Sequence, residues 1–190
     1  INETITVLGQ GFSTVNEVFN SQNKSGRTQY IISASELISQ GVVAGPIDKL
    51  TIDITSSGEE LNNVVIRMKN TVLLELTPDS YENDSLEDVY SSAVGAVFAG
   101  QYTFNFINSF FWDGASNVVI DLSFTNTQQG ASNYSLLGDD YSANVGVVLK
   151  DDGCLDFEGD DIVDVPSSVF NSLDSAITIS FWCFGDPSVM

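Results

Sequence analysis

Phe110-Phe111-Trp112-Asp113-Gly114-Ala115-Ser116-Asn117 runs directly into Val118-Val119-Ile120-Asp121-Leu122-Ser123-Phe124-Thr125-Asn126. The second half alternates strictly. Val118, Ile120, Leu122 and Phe124 point one way, and Val119, Asp121, Ser123 and Thr125 the other. Period two over this length predicts a half-buried β-strand. The first half is an aromatic cluster closed by Asp-Gly and Ser-Asn, a turn signal. Upstream, Tyr102-Thr103-Phe104-Asn105-Phe106 alternates in the same way. The two runs are expected to be neighbouring antiparallel strands over one core.

Other segments carry the same period. Leu50-Thr51-Ile52-Asp53-Ile54-Thr55 and Val64-Val65-Ile66-Arg67-Met68-Lys69 predict two strands separated by Ser56–Glu60, with Val64, Ile66 and Met68 inward. Ile5-Thr6-Val7-Leu8 reads as a short first strand and Asn144–Leu149 as the last of this unit. Val72–Leu76 continues as an apolar run, and Val89-Tyr90 and Val94–Phe98 supply further strand material. Asn20–Gly26 and Thr127–Asn133 are polar loops. Ser33-Ala34-Ser35-Glu36 is a capping box and Gly41 a C′ residue, so one short helix lies between them. Many short strands and a single short helix predict an all-β, antiparallel, jelly-roll-like β-sandwich over residues 1–150. The composition shifts at Lys150-Asp151-Asp152-Gly153. Residues 151–190 are expected to be an incomplete second β unit, too short to close a sandwich alone.

Composition narrows the chemistry. The net charge is −20, from 26 acidic and 6 basic residues. Such a chain repels phosphate backbones and anionic headgroups, which excludes nucleic-acid partners, and no apolar run is long enough for membrane insertion as a helix. There is no histidine, so triads, His bases and His-ligated metals are out. Paired carboxylates could serve glycoside hydrolysis, but among 26 acids pairs arise by chance. The reading is non-catalytic. Two acidic groups could hold calcium, which takes hard oxygens. The stronger candidate set is Asp156, Glu158, Asp160 and Asp161, within a run that also holds Asp151, Asp152 and Asp164; its plain alternative is solvated turns. The weaker is Asp79, Glu82, Asp84, Glu87 and Asp88, read as a solvated acidic loop. Phe110, Phe111 and Trp112 are expected in the core rather than on a sugar-stacking platform. Cys154 and Cys183 are either two buried thiols or one disulfide. Asn2, Asn23, Asn83 and Asn133 match the N-glycosylation pattern, which is common by chance.

Gln29–Leu37, Ala44-Gly45-Pro46-Ile47, Val65-Ile66-Arg67-Met68 and Phe110–Ile120, in this order, resemble a β-sandwich module repeated in large surface proteins of gliding bacteria exported by the type IX route. The match spans residues 27–126, with Asn70-Thr71 departing from a Gly-His-Thr-like turn. Cys154–Asp161 and Ile177–Trp182 resemble the opening strands of a laminin-G or concanavalin-like jelly roll. The resemblance implies a secreted or cell-surface location. It implies adhesion or ligand binding within a larger protein, with an extracellular glycan or protein ligand and type IX secretion components as partners. The alternatives are an accessory module of a secreted polysaccharide-degrading enzyme and a structural spacer in a stalk or filament. Asp84-Ser85-Leu86 and Asp174-Ser175-Ala176 resemble the O-glycosylation sequon of such proteins, marking Ser85 and Ser175. Export also favours a bridge between Cys154 and Cys183, which the jelly-roll family does not require.

Overall fold

The computed structural model describes residues 6–9, 11–77, 81–139 and 146–149. These form an antiparallel β-sandwich of nine strands and one helix. In chain order they are β1 (Ser13–Val15), β2 (Ser25–Ile32), α1 (Ala34–Ser39), β3 (Gly45–Ser56), β4 (Leu61–Thr71), β5 (Glu87–Val94), β6 (Gly100–Trp112), β7 (Asn117–Thr125), β8 (Ser135–Gly138) and β9 (Gly146–Leu149). One sheet has the order β1-β8-β3-β6 and the other β5-β4-β7-β2-β9. The all-β sandwich with one short helix is therefore as expected among the described residues. The boundary near residue 150 and the second unit lie outside them.

The alternating residues face each other across the sandwich. Val64, Ile66 and Met68 of β4 and Val118, Ile120, Leu122 and Phe124 of β7 meet Phe104, Phe110 and Trp112 of β6. Phe19, from the β1–β2 connection, lies 6.0 Å from the Phe104 ring and 6.4 Å edge-on from Phe124. Tyr90 and Tyr102 stack edge-on against Phe104, at 5.1 and 4.9 Å. Such pairs contribute about 0.5–1.5 kcal/mol each beyond area burial.

Helix α1 is closed at both ends. Ser33 Oγ accepts from the Glu36 amide at 3.1 Å. At the other end the Gly41 amide donates to Ile38 and the Val42 amide to Leu37, a Schellman arrangement that needs the φ of +83° Gly41 adopts. One buried residue, Leu37, anchors the helix to the core.

The pairing overturns several expectations. β6 and β7 are not neighbours; they belong to opposite sheets, and residues 113–116 carry the chain between them. β3 and β4, the two strands separated by Ser56–Glu60, are borne out as strands and lie in different sheets. Among the described strands only β4 and β5 are both consecutive and paired. Residues 6–8 form no strand, and the first is β1. β5 stops at Val94, leaving Phe98 exposed. Nor is β7 half-buried: Val119 and Asp121, assigned to the solvent side, are fully buried. The cause is that described residues of the long β4–β5 connection, on either side of 78–80, cover the outer face of β7. Leu76 of that connection packs with Ile31 and Val119, flanked by Tyr81 and Leu86.

Candidate functional site

Asp121 sits at the centre of the five-stranded sheet, opposite Arg67 of β4 on one side and Gln29 of β2 on the other. All three project from the outer face. The Asp121 carboxylate has no exposure. Its Oδ2 accepts from Arg27 Nε at 2.7 Å and from Gln29 Nε2. Its Oδ1 accepts from Arg67 Nε at 3.2 Å and Nη2 at 2.9 Å. Both arginines of the chain thus converge on one carboxylate. A buried charge is tolerated only when paired and fully hydrogen-bonded, and this one is.

Residues 81–84 of the connection between β4 and β5 lie above this row as a strap. Gln29 Oε1 accepts from the Glu82 amide at 2.8 Å, and Gln29 Nε2 donates to the Glu82 carbonyl at 2.6 Å. Arg27 Nη2 donates to the same carbonyl at 3.2 Å, and Arg27 Nη1 to Asn83 Oδ1 at 2.7 Å. The Arg27 guanidinium lies 5.0 Å from the centre of the Tyr81 ring. Lys69 Nζ donates to Glu82 Oε2 at 2.6 Å and to the Asp84 carbonyl at 3.1 Å. The loop read as solvated acid is therefore, at Glu82 and Asn83, a polar lid bound to the sheet, while Glu87 and Asp88 belong to β5. Asn83 also donates to the Tyr81 carbonyl, so both ends of its amide are engaged. Asn133 likewise donates to the Asn16 carbonyl at 2.8 Å. Ser85 is exposed on the same strap, with φ 60°, the one positive φ outside glycine among the described residues.

A second feature is the sandwich end that carries α1. Trp112 and Phe110 are buried as expected, but Phe111 is 63% exposed. Phe111 pairs with Pro46 across β3–β6, and its carbonyl accepts from Asn70 Nδ2 at 3.0 Å. From there the chain leaves β4 through Val72-Leu73-Leu74, whose Leu73 carbonyl accepts from Asn117 Nδ2 at 2.6 Å. Val72 and Leu74 are 90% and 76% exposed, and Val43, beside the Gly114 turn, 79%. The apolar run Val72–Leu76 continues no strand; it presents side chains to solvent before Leu76 tucks under the strap. The turn itself is rigid. Asp113 accepts from the amides of Ala115 and Ser116 and from Ser116 Oγ, and the Ser116 hydroxyl foremost holds its carboxyl below the usual range. Trp112 Nε1 donates to the Ser116 carbonyl at 2.8 Å.

Between the sheets, a small, partly open apolar pocket of about 10 Å³ lies among Phe19, Leu61, Tyr102 and Tyr134, with no polar lining to hold a ligand. Among the described residues no group of three or more Asp, Glu or Cys is arranged to hold a metal. The calcium candidates Asp156, Glu158, Asp160 and Asp161, the pair Cys154 and Cys183, and Ser175 lie outside the described residues. The Asp121 row went unrecognised in sequence, although one signal was present. A lone acid interrupts an apolar run in a chain with only two arginines, one of them, Arg67, in an alternating segment. Compared with protein-family models, curated proteins and solved structures, the chain gave no match.

Proposed function

We propose that this chain is a non-catalytic adhesion or ligand-binding module of a larger protein exported by the type IX route to the cell surface or beyond. The reading is carried by the apolar end of the sandwich, where Val43, Val72, Leu74 and Phe111 stand exposed around a rigid turn. Exposed apolar side chains gathered on a fixed frame mark interaction surfaces. The pieces that carry the module resemblance add support. Though far apart in sequence, they pair strand to strand: Ile31 with Val119, Met68 with Ile120, and Pro46 with Phe111. Three of them, Gln29–Leu37, Ala44–Ile47 and Phe110–Ile120, reach this apolar end. The partner is an extracellular glycan or protein surface.

Beads coated with the chain test the reading, on a glycan array and on protein-coated surfaces. Retention on at least one surface is expected, falling at least tenfold in Phe111→Ser/Leu74→Ser with an unchanged melting temperature. Retention that the double variant leaves intact, or none on any surface, refutes it.

A further inference from the structure

The strap contacts have a feature that ordinary loop packing does not require. The groups that read it are held from below. Arg27 Nε and Gln29 Nε2 both donate to Asp121, so the guanidinium and the amide are oriented by the buried carboxylate rather than by the strap. Gln29 is itself fully buried. What it reads is backbone: one N–H and one C=O of the same residue, as a neighbouring strand would. Three side-chain preferences surround that pair. Arg27 faces an aromatic ring at the preceding position and an amide oxygen at the following one, and Lys69 takes a carboxylate at the central one. Arg27, Arg67 and Lys69 are half of the basic residues in a chain of net charge −20.

We infer that the outer face of the five-stranded sheet is a recognition groove for an extended acidic peptide of the pattern aromatic–Glu–Asn/Asp, filled in this structure by the chain's own Tyr81-Glu82-Asn83. The groove is preorganised, which lowers the cost of exchanging one occupant for another. The tethered strap competes at a high effective concentration, so an outside peptide binds far better once the strap is weakened. This site stands apart from the apolar end, and either can fail alone.

The probe is a fluorescein-labelled peptide of residues 81–86, Tyr-Glu-Asn-Asp-Ser-Leu. On the full chain carrying Tyr81→Ser/Glu82→Lys/Asn83→Ser, whose groove is untouched, anisotropy is expected to saturate at least tenfold tighter than on the wild type. The same peptide with proline in place of its glutamate has no N–H for Gln29 and is expected not to bind. Absence of saturable binding to the folded variant overturns the inference, and so does equal binding of the proline peptide. The wild-type chain provides a second readout that does not depend on the variant folding. Excess peptide is expected to raise hydrogen exchange of the Glu82 amide several-fold, leaving the β7 amides unchanged. A Glu82 amide that exchanges only with β7, whatever the peptide concentration, overturns the groove as well.

Discussion

Replacing Asp121 by Asn probes the buried row most directly, because shape is kept and charge is lost. The carboxylate accepts on both oxygens: Arg27 and Gln29 donate to one, Arg67 to the other. An amide can keep only one of these sides. Its NH2 must then point at guanidinium or amide donors, and two positive charges lose their counter-charge. Breaking a fully buried pair in this way costs about 3–5 kcal/mol. Here the arginine side chains are 21% and 30% exposed, so water recovers part of that. A cost of about 2–4 kcal/mol remains. With a urea m-value of about 2 kcal/mol/M, the midpoint falls by about 1–2 M. The assay is urea unfolding followed by far-UV circular dichroism, with m compared between chains. A midpoint drop below about 0.3 M would show that the row carries little net energy and refute the reasoning. A companion variant separates charge from packing. Asp121→Leu with Arg27→Met and Arg67→Met removes the row's charges at once, and is expected to recover more than half of the loss, since no charge is left unpaired and Gln29 Nε2, which loses Asp121, keeps its bond to the Glu82 carbonyl.

Two further outcomes follow from single residues. Burial, and secondarily the negative charge of Glu17, pushes the Tyr30 hydroxyl up to about 12 from 10.0. A raised folded pKa means stability that is complete below pH 10 and lost as pH climbs toward 12, at about 1.4 kcal/mol per pH unit; Tyr30→Phe should flatten that part of the melting-temperature profile, and an identical alkaline decline in both chains would sink the assignment. Gly114 sits at φ +82°, and a Cβ there would stand 2.8 Å from the Ala44 Cβ. Gly114→Ala should therefore cost about 1–3 kcal/mol by chemical denaturation, and a neutral result would mean that the turn relaxes freely.

The elements were legible in the sequence where local physics decides them. Alternation placed Val64, Ile66 and Met68 inward, and Ser33, Glu36 and Gly41 marked both ends of α1. Pairing was not legible, because period two tells which face a residue takes and says nothing of which strand lies beside it. The same limit hid the second face of β7. Val119 and Asp121 alternate as solvent-side residues do, and only a segment some forty positions away, with Leu76 and Glu82, takes them out of water. The acidic character of residues 79–88 argued for solvation. It misled at Glu82 because a net-negative chain can still gather its few cations beneath one loop.

The turn at Asp113–Ser116 shows why a hairpin signal produced a corner instead. Asp-Gly favours a two-residue connection between paired strands. Packed sheets lie about 10 Å apart, farther than such a loop reaches while keeping Trp112 and Val118 both inward. Four residues can span about 13 Å, enough to cross from one sheet to the other. Trp112 and Val118 are both buried, on facing sheets, so the crossing is what the aromatic cluster demands. Asp113 then serves a corner rather than a hairpin: its carboxylate collects the Ala115 and Ser116 amides that no strand partner can take. A corner held by its own side chains leaves the strands on either side free to choose different partners. β6 therefore lies beside β3 and β7 between β4 and β2, and this separation brings Arg27, Arg67 and Asp121 to one place.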